Sequence, residues 1–133
     1  MTSQSQTVYP SLAYEDAERA IEWLTEAFGL EPALVVPGEG GGILHAELRT
    51  GDGATVMVLS TRHSTRRDRS PRSLGGSAQS VYVATTDPDG VHDRAVRAGA
   101  EVFNPLRDAD HGREFCCLDP EGHIWTFGTY APA

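Results

Sequence analysis

Apolar residues recur at helical spacing in two places along this chain. Ala17, Ala20, Ile21, Leu24 and Phe28 make one stripe, with Glu15, Glu18, Glu22 and Glu26 crowding the other side. Asp16 stands where such a helix needs an N-cap, and Gly29 where it needs a left-handed stop. The second stripe is shorter: Val91, Arg94-Ala95 and Ala98, opened by Asp87 and closed by Ala98-Gly99-Ala100. Around each helix the pattern shifts to short β-rich runs bounded by turn residues. In the first half the predicted strands cover 8–14, 34–36, 43–49 and 55–60, with Pro10 suited to an edge or a strand start. In the second half they cover 80–85, 102–103, 114–118 and 123–129, and 104–113 reads as a polar loop. Asp119-Pro120-Glu121-Gly122 is a tight turn joining the last two: Pro120 pre-sets its φ and Gly122 accepts a positive one. Both halves have the order β-α-β-β-β. The chain is therefore read as one domain over 1–133, built from a module at 8–60, a linker at 61–79 and a second module at 80–130.

The linker breaks the pattern. It holds Arg62, Arg66, Arg67, Arg69 and Arg72, several Ser, Pro71 and Gly75-Gly76. It reads as a mobile connector, with a lid over a binding site as the alternative.

Charge narrows the partners. A net charge of −8 over 133 residues argues against nucleic acid or an anionic membrane, and mildly favours a cationic ligand. All 11 basic residues are Arg. No apolar run approaches the roughly 20 residues of a membrane span. The first seven residues lack a signal pattern, so a cytoplasmic location is expected. Cys116 and Cys117 are neighbours and point to opposite faces of a strand, so both are read as reduced, small hydrophobes. No Gly-x-Ser-x-Gly or Cys-x-x-Cys motif is present, and the glycines at 38–42 lead into no helix that could anchor a phosphate.

The capped helix at 16–29, the closing Asp119-Pro120-Glu121-Gly122-His123 and the helix end from Arg94-Ala95 to Ala98-Gly99-Ala100 together resemble the vicinal oxygen chelate superfamily. That superfamily includes glyoxalase I, extradiol dioxygenases, fosfomycin-modifying enzymes and bleomycin resistance proteins. The resemblance covers about residues 8–130. It implies an α+β fold of paired βαβββ modules forming a cupped, barrel-like mixed sheet with helices outside, commonly as a homodimer.

Metal-dependent members place four ligands in the cup. The matching positions here are Tyr9, Ser80, Glu47 and Thr126, of which only Glu47 is an ordinary metal ligand. The resemblance therefore leads to no metal and no cofactor. His45 and Glu47 alternate along one predicted strand and so share a face, where they offer a polar contact to a ligand. Tyr82 shares a face with Ser80, and Phe103, Phe115 and Tyr9 are aromatic residues expected to reach the cavity, whereas Trp125 and Phe127 should be core. An aromatic cup with few polar groups suits a flat aromatic guest.

The expected ligand-binding set is thus Tyr9, His45, Glu47, Ser80, Tyr82, Phe103, Phe115 and Thr126, with no catalytic residue assigned. This pattern resembles the members that capture an antibiotic of the bleomycin, mitomycin or enediyne type without altering it, so a binding protein is favoured over an enzyme. Two alternatives stand beside it: a metal-dependent lyase or oxidoreductase of the glyoxalase or dioxygenase kind, and a metal-free isomerase with Glu47 as base.

Overall fold

The computed structural model describes residues 6–133; residues 1–5, part of the stretch read as lacking a signal pattern, lie outside the described residues. The chain runs β1 (Ser11–Tyr14), α1 (Ala17–Phe28), β2 (Glu31–Pro37), β3 (Ile43–Arg49) and β4 (Thr55–Ser60). A 3₁₀ turn at Thr61–His63 and the single turn α2 (Pro71–Leu74) follow. Then come β5 (Ser80–Ala84), α3 (Pro88–Arg97), β6 (Glu101–Ala109), β7 (Gly112–Leu118) and β8 (Ile124–Gly128). The strand orders are β1-β4-β3-β2 and β5-β8-β7-β6, so the duplication is exact in topology. In each sheet the first and last strands of the module pair in parallel, and the rest is antiparallel. The α+β architecture of cupped βαβββ modules is the expected one. The two four-stranded sheets remain separate and do not close into a barrel.

Helices α1 and α3 each cover one face of their module's sheet. Asp16 accepts the Arg19 N–H at 3.1 Å and starts α1, and Gly29 at φ 72° ends it. The apolar stripe of α1 is buried, with Leu24 and Ala27 wholly inaccessible. Burying a leucine of this kind is worth about 2 kcal/mol. Asp87 caps α3 through the Gly90 N–H. The helices also pack on each other, which fuses two half-cores into one. Trp23 donates its indole N–H to the Ala98 carbonyl at 2.8 Å, and the Phe28 ring lies 5.0 Å from Trp125 and 4.7 Å from Phe127. Arg94 donates to the Thr25 and Glu26 carbonyls at the C-terminal end of α1, where cations are favoured.

Three expectations are corrected. The supposed polar loop at 104–113 is mostly strand: β6 runs to Ala109 and turns within Asp110-His111 into β7. Its charges hold the hairpin as cross-strand pairs, Arg113 with Asp108 and Arg107 with Glu114, and Pro105 is tolerated because β6 is an edge strand with a register irregularity there. Phe115 does not reach the open face. It pairs with Phe127 in register, stacks on it at 5.6 Å, and is wholly buried under α3 among the core residues. The 61–79 segment is not a loose connector but is docked on the body. Ser70 is wholly buried and caps α2, and its hydroxyl donates to Glu15 Oε2 at 3.3 Å.

Candidate functional site

The positioning element is the turn before β8. Asp119 is 4% exposed and its carboxylate accepts four hydrogen bonds. Oδ1 takes the backbone N–H groups of Glu121 (3.0 Å) and His123 (3.1 Å); Oδ2 takes the Tyr14 hydroxyl (2.6 Å) and the Trp125 indole N–H (3.1 Å). Burial, and then the Asp119 charge, push the Tyr14 phenol well above its ordinary value, so it stays a neutral donor. Glu121 reaches the other module. Its two oxygens accept the Glu15 and Asp16 N–H groups at 2.7 and 2.9 Å, where the start of α1 offers unpaired donors and a positive dipole end. His123 lies against Tyr14, ring centroids 4.6 Å apart, and its Nε2–H donates to the Ala13 carbonyl at 2.8 Å. The turn therefore fixes β1 and α1 of the first module against β8 of the second. It was legible in sequence as a turn only; two carboxylates within three residues of a Pro-Gly turn were the available sign of more.

Above this turn the 61–79 segment forms a roof. The Arg72 N–H donates to the Glu121 carbonyl at 3.1 Å, and its guanidinium binds the Pro120 carbonyl. Gly122 sits at φ 93°, and a Cβ built there would stand 3.2 Å from Pro71, so only glycine serves both the turn and the roof. Beneath the roof, between the edges of β1 and β5, is a cavity of about 570 Å³, within the usual range for small-molecule sites. Its walls are mainly apolar: Pro10, Leu12, Ala13, Leu74, Val81 and Ile124.

The eight expected site residues fall into separate groups. Tyr9 and Ser80 line this cavity from opposite sides. His45 and Glu47 do share a face of β3, the one without a helix, and are bonded at 2.8 Å with about a third of each side chain exposed. Tyr82 and Thr126 lie in register on the helix-free face of the other sheet, beside Cys116, whose Sγ is 3.1 Å from the Thr126 hydroxyl. Tyr82 donates to the Tyr130 carbonyl at 2.6 Å, and partial burial and the Glu114 charge raise its phenol above the ordinary value. Phe103 is half-exposed on edge strand β6, and Phe115 is core.

The four positions that match metal ligands do not fit a metal. Glu47 is bonded to His45, the Tyr9 hydroxyl donates to the Gln6 carbonyl, and Thr126 is paired with Cys116. Among the described residues no three His, Cys, Asp or Glu side chains are grouped to hold an ion.

Paired cupped βαβββ modules with a pocket between them define the vicinal oxygen chelate fold. The family profile described as the glyoxalase/bleomycin resistance protein/dioxygenase superfamily matches residues 6–127, and the chain belongs to that superfamily. The uncharacterized protein Mb0911c of Mycobacterium bovis is 35% identical over 122 residues, spanning 90% of this chain and 80% of the relative. TioX from Micromonospora sp. ML1 is similar in structure with a TM-score of 0.69 at 31% identity, covering 94% of this chain and all of TioX. The fosfomycin resistance protein FosX from Mesorhizobium loti shares the fold, with a TM-score of 0.65 at 15% identity over 97% of this chain and 95% of FosX. No helix of the described residues is long and apolar enough to cross a membrane.

Proposed function

We propose that this protein binds an aromatic antibiotic or similar small molecule and sequesters it without chemical change, conferring resistance. The observation that carries the reading is the mainly apolar cavity between β1 and β5, built on a superfamily fold but without a grouped metal-ligand set among the described residues. Capture without turnover demands tight binding, which a mainly apolar cavity of this size can supply through buried area. In this reading the protein acts in the cytoplasm as a homodimer. The helix-free sheet faces, with Leu34 and Tyr82 exposed, and the edge residue Phe103 leave apolar surface for a second copy. The test is a titration of bleomycin-, mitomycin- and enediyne-type compounds followed by Trp fluorescence, with recovery of the ligand for mass analysis. A stoichiometric end point with unaltered ligand, abolished by Ser80→Trp at the cavity wall, is expected. A changed ligand mass, or no saturable binding by any class, overturns the reading.

A second reading has one specific observation behind it, the 2.8 Å bond between His45 Nε2 and Glu47 Oε2. A carboxylate so oriented on an open sheet face suits a metal-free proton transfer with Glu47 as base. Solvent deuterium exchange into a carbon acid, lost in Glu47→Gln, would support it; exchange equal in both proteins would discard it.

A further inference from the structure

We propose that the cavity between β1 and β5 takes an amphipathic anion, an apolar body ending in a carboxylate, with Arg69 as its counter-ion. The proposal rests on the binding reading above and names the ligand's chemistry. Net charge points the other way, toward a cation, but charge acts locally because salt screens beyond about 10 Å. The roof segment is the basic exception in an acidic chain: it carries Arg62, Arg66, Arg67, Arg69 and Arg72 against the single acid Asp68.

Two charged side chains line the cavity, Asp68 and Arg69. The Asp68 Oδ2 is already spent, accepting from the Ser64 hydroxyl at 2.8 Å and from Arg66 at 3.2 Å. Arg69 makes no hydrogen bond or ion pair among the described residues. Arg67 before it has a left-handed backbone, φ 66°, which only a few per cent of non-glycine residues adopt. Ser80, also lining the cavity, adds an uncommitted hydroxyl among the described residues. The rest of the wall is mainly apolar, with Ser11, Ser77 and Gln79 as uncharged polar members and the His123 ring already bonded to the Ala13 carbonyl, so Arg69 offers a place for a negative charge and the apolar wall a larger one for a hydrocarbon or ring system. A second cavity of about 540 Å³, at the C-terminal end of α1, shows the contrast. Its guanidinium, Arg94, is already committed to the Thr25 and Glu26 carbonyls.

Three probes with one body and different heads test this: 9-anthracenecarboxylate, 9-anthracenemethanol and 9-(aminomethyl)anthracene. Each is titrated into the wild type, Arg69→Gln and Arg97→Gln, the last an exposed arginine of α3 outside the cavity. Amide shifts at Leu74, Val81 and Ile124 locate binding. The carboxylate should bind about tenfold tighter than the alcohol at low salt, the size of a charge-assisted bond at a partly open site. Arg69→Gln should remove that advantage while leaving the alcohol unchanged, and Arg97→Gln should alter neither. Equal affinity for carboxylate and alcohol, a preference for the amine, or a carboxylate advantage that survives Arg69→Gln overturns the anion proposal and leaves the cavity reading intact. Absence of saturable shifts at those residues with all three probes overturns the cavity reading itself, and the proposal with it.

Discussion

Replacing Asp119 by Asn removes one charge and changes almost no volume, so it isolates what the buried carboxylate does. Four donors converge on it: two backbone N–H groups, the Tyr14 hydroxyl and the Trp125 indole. An amide has one oxygen, which can keep one pair of donors; its NH₂ then faces the other pair. If the oxygen stays on the backbone pair, the Tyr14 hydroxyl can rotate and accept from the NH₂. The Trp125 indole has no such option, because it is a donor only. If the oxygen turns to the side chains, two backbone donors of the turn are stranded instead. At least one buried donor is therefore left unpaired, at about 1–3 kcal/mol. The surviving bonds lose their charge assistance, which adds about 1–2 kcal/mol more. The expected loss is about 3 kcal/mol, a large part of the 5–15 kcal/mol that holds a typical domain together. Urea unfolding followed by circular dichroism measures it, with an unchanged m-value showing that two-state behaviour survives. Asp110→Asn, at the exposed β6–β7 turn, is the control and should change stability by less than about 0.5 kcal/mol. A loss below about 1 kcal/mol for Asp119→Asn would refute the reasoning, since no arrangement of the amide satisfies all four donors.

Three further outcomes follow from the same geometry. The phenol of Tyr14 is raised in the folded state above its ordinary value, so the folded protein holds that proton more tightly than the unfolded chain; the contribution is complete below about pH 10 and declines as pH rises beyond it. Tyr14→Phe should therefore flatten the alkaline fall in stability in pH-dependent unfolding, and an unchanged slope would sink the assignment. Burial, then the Asp119 charge, push the Cys117 thiol up to about 12, so Cys117 should resist iodoacetamide at pH 8 in the folded protein and react once unfolded; peptide mass mapping reads this, and rapid native labelling would contradict it. Gly122→Ala, forced to a φ of 93° and against Pro71, should cost about 1–2 kcal/mol and be visible in thermal unfolding, whereas a neutral result would show that the roof yields freely.

The helices were legible because their signals are local. A cap, an apolar stripe and a left-handed stop all lie within one stretch of chain, and Asp16, Leu24 and Gly29 do what their spacing says. The inward direction of Trp125 and Phe127 was legible for the same reason, since strand alternation is a two-residue rule. Phe115 was misplaced because its face depends on register with Phe127, which no single-strand pattern contains. Residues 104–109 were misread because charges and Pro105 mimic a loop, while on an edge strand they are tolerated and pair across the hairpin. The site was harder still. Tyr9 and Ser80 meet at the cavity because two edge strands approach each other, and Arg69 joins them because the roof folds back, events set by contacts 40 or more positions apart along the chain.

Duplication produced two equal sheets but not two equal turns. In the first module the β3–β4 turn closes on itself: the Thr50 hydroxyl bonds Asp52 at 2.5 Å and receives the Ala54 N–H at 3.0 Å. The second helix start is likewise satisfied locally, with the Asp87 N–H on the Thr85 hydroxyl. The second-module turn instead reaches across, and it reaches in two directions: Glu121 to the start of α1, and the Glu121 and Pro120 carbonyls to the roof. The cavity lies where those directions meet, with Ala13, Pro71 and His123 all in its wall. Ligand affinity should then depend on a carboxylate that does not touch the ligand. Glu121→Gln keeps one of the two bonds to α1 and sets an NH₂ against the other N–H, at a cost of about 1–2 kcal/mol in stability. Amide exchange at Glu15 and Asp16 should quicken, and probe affinity at the cavity should fall in step although every lining residue is intact. Faster exchange with unchanged affinity would mean that the roof holds its place without the turn, and that the coupling between module packing and the cavity does not exist.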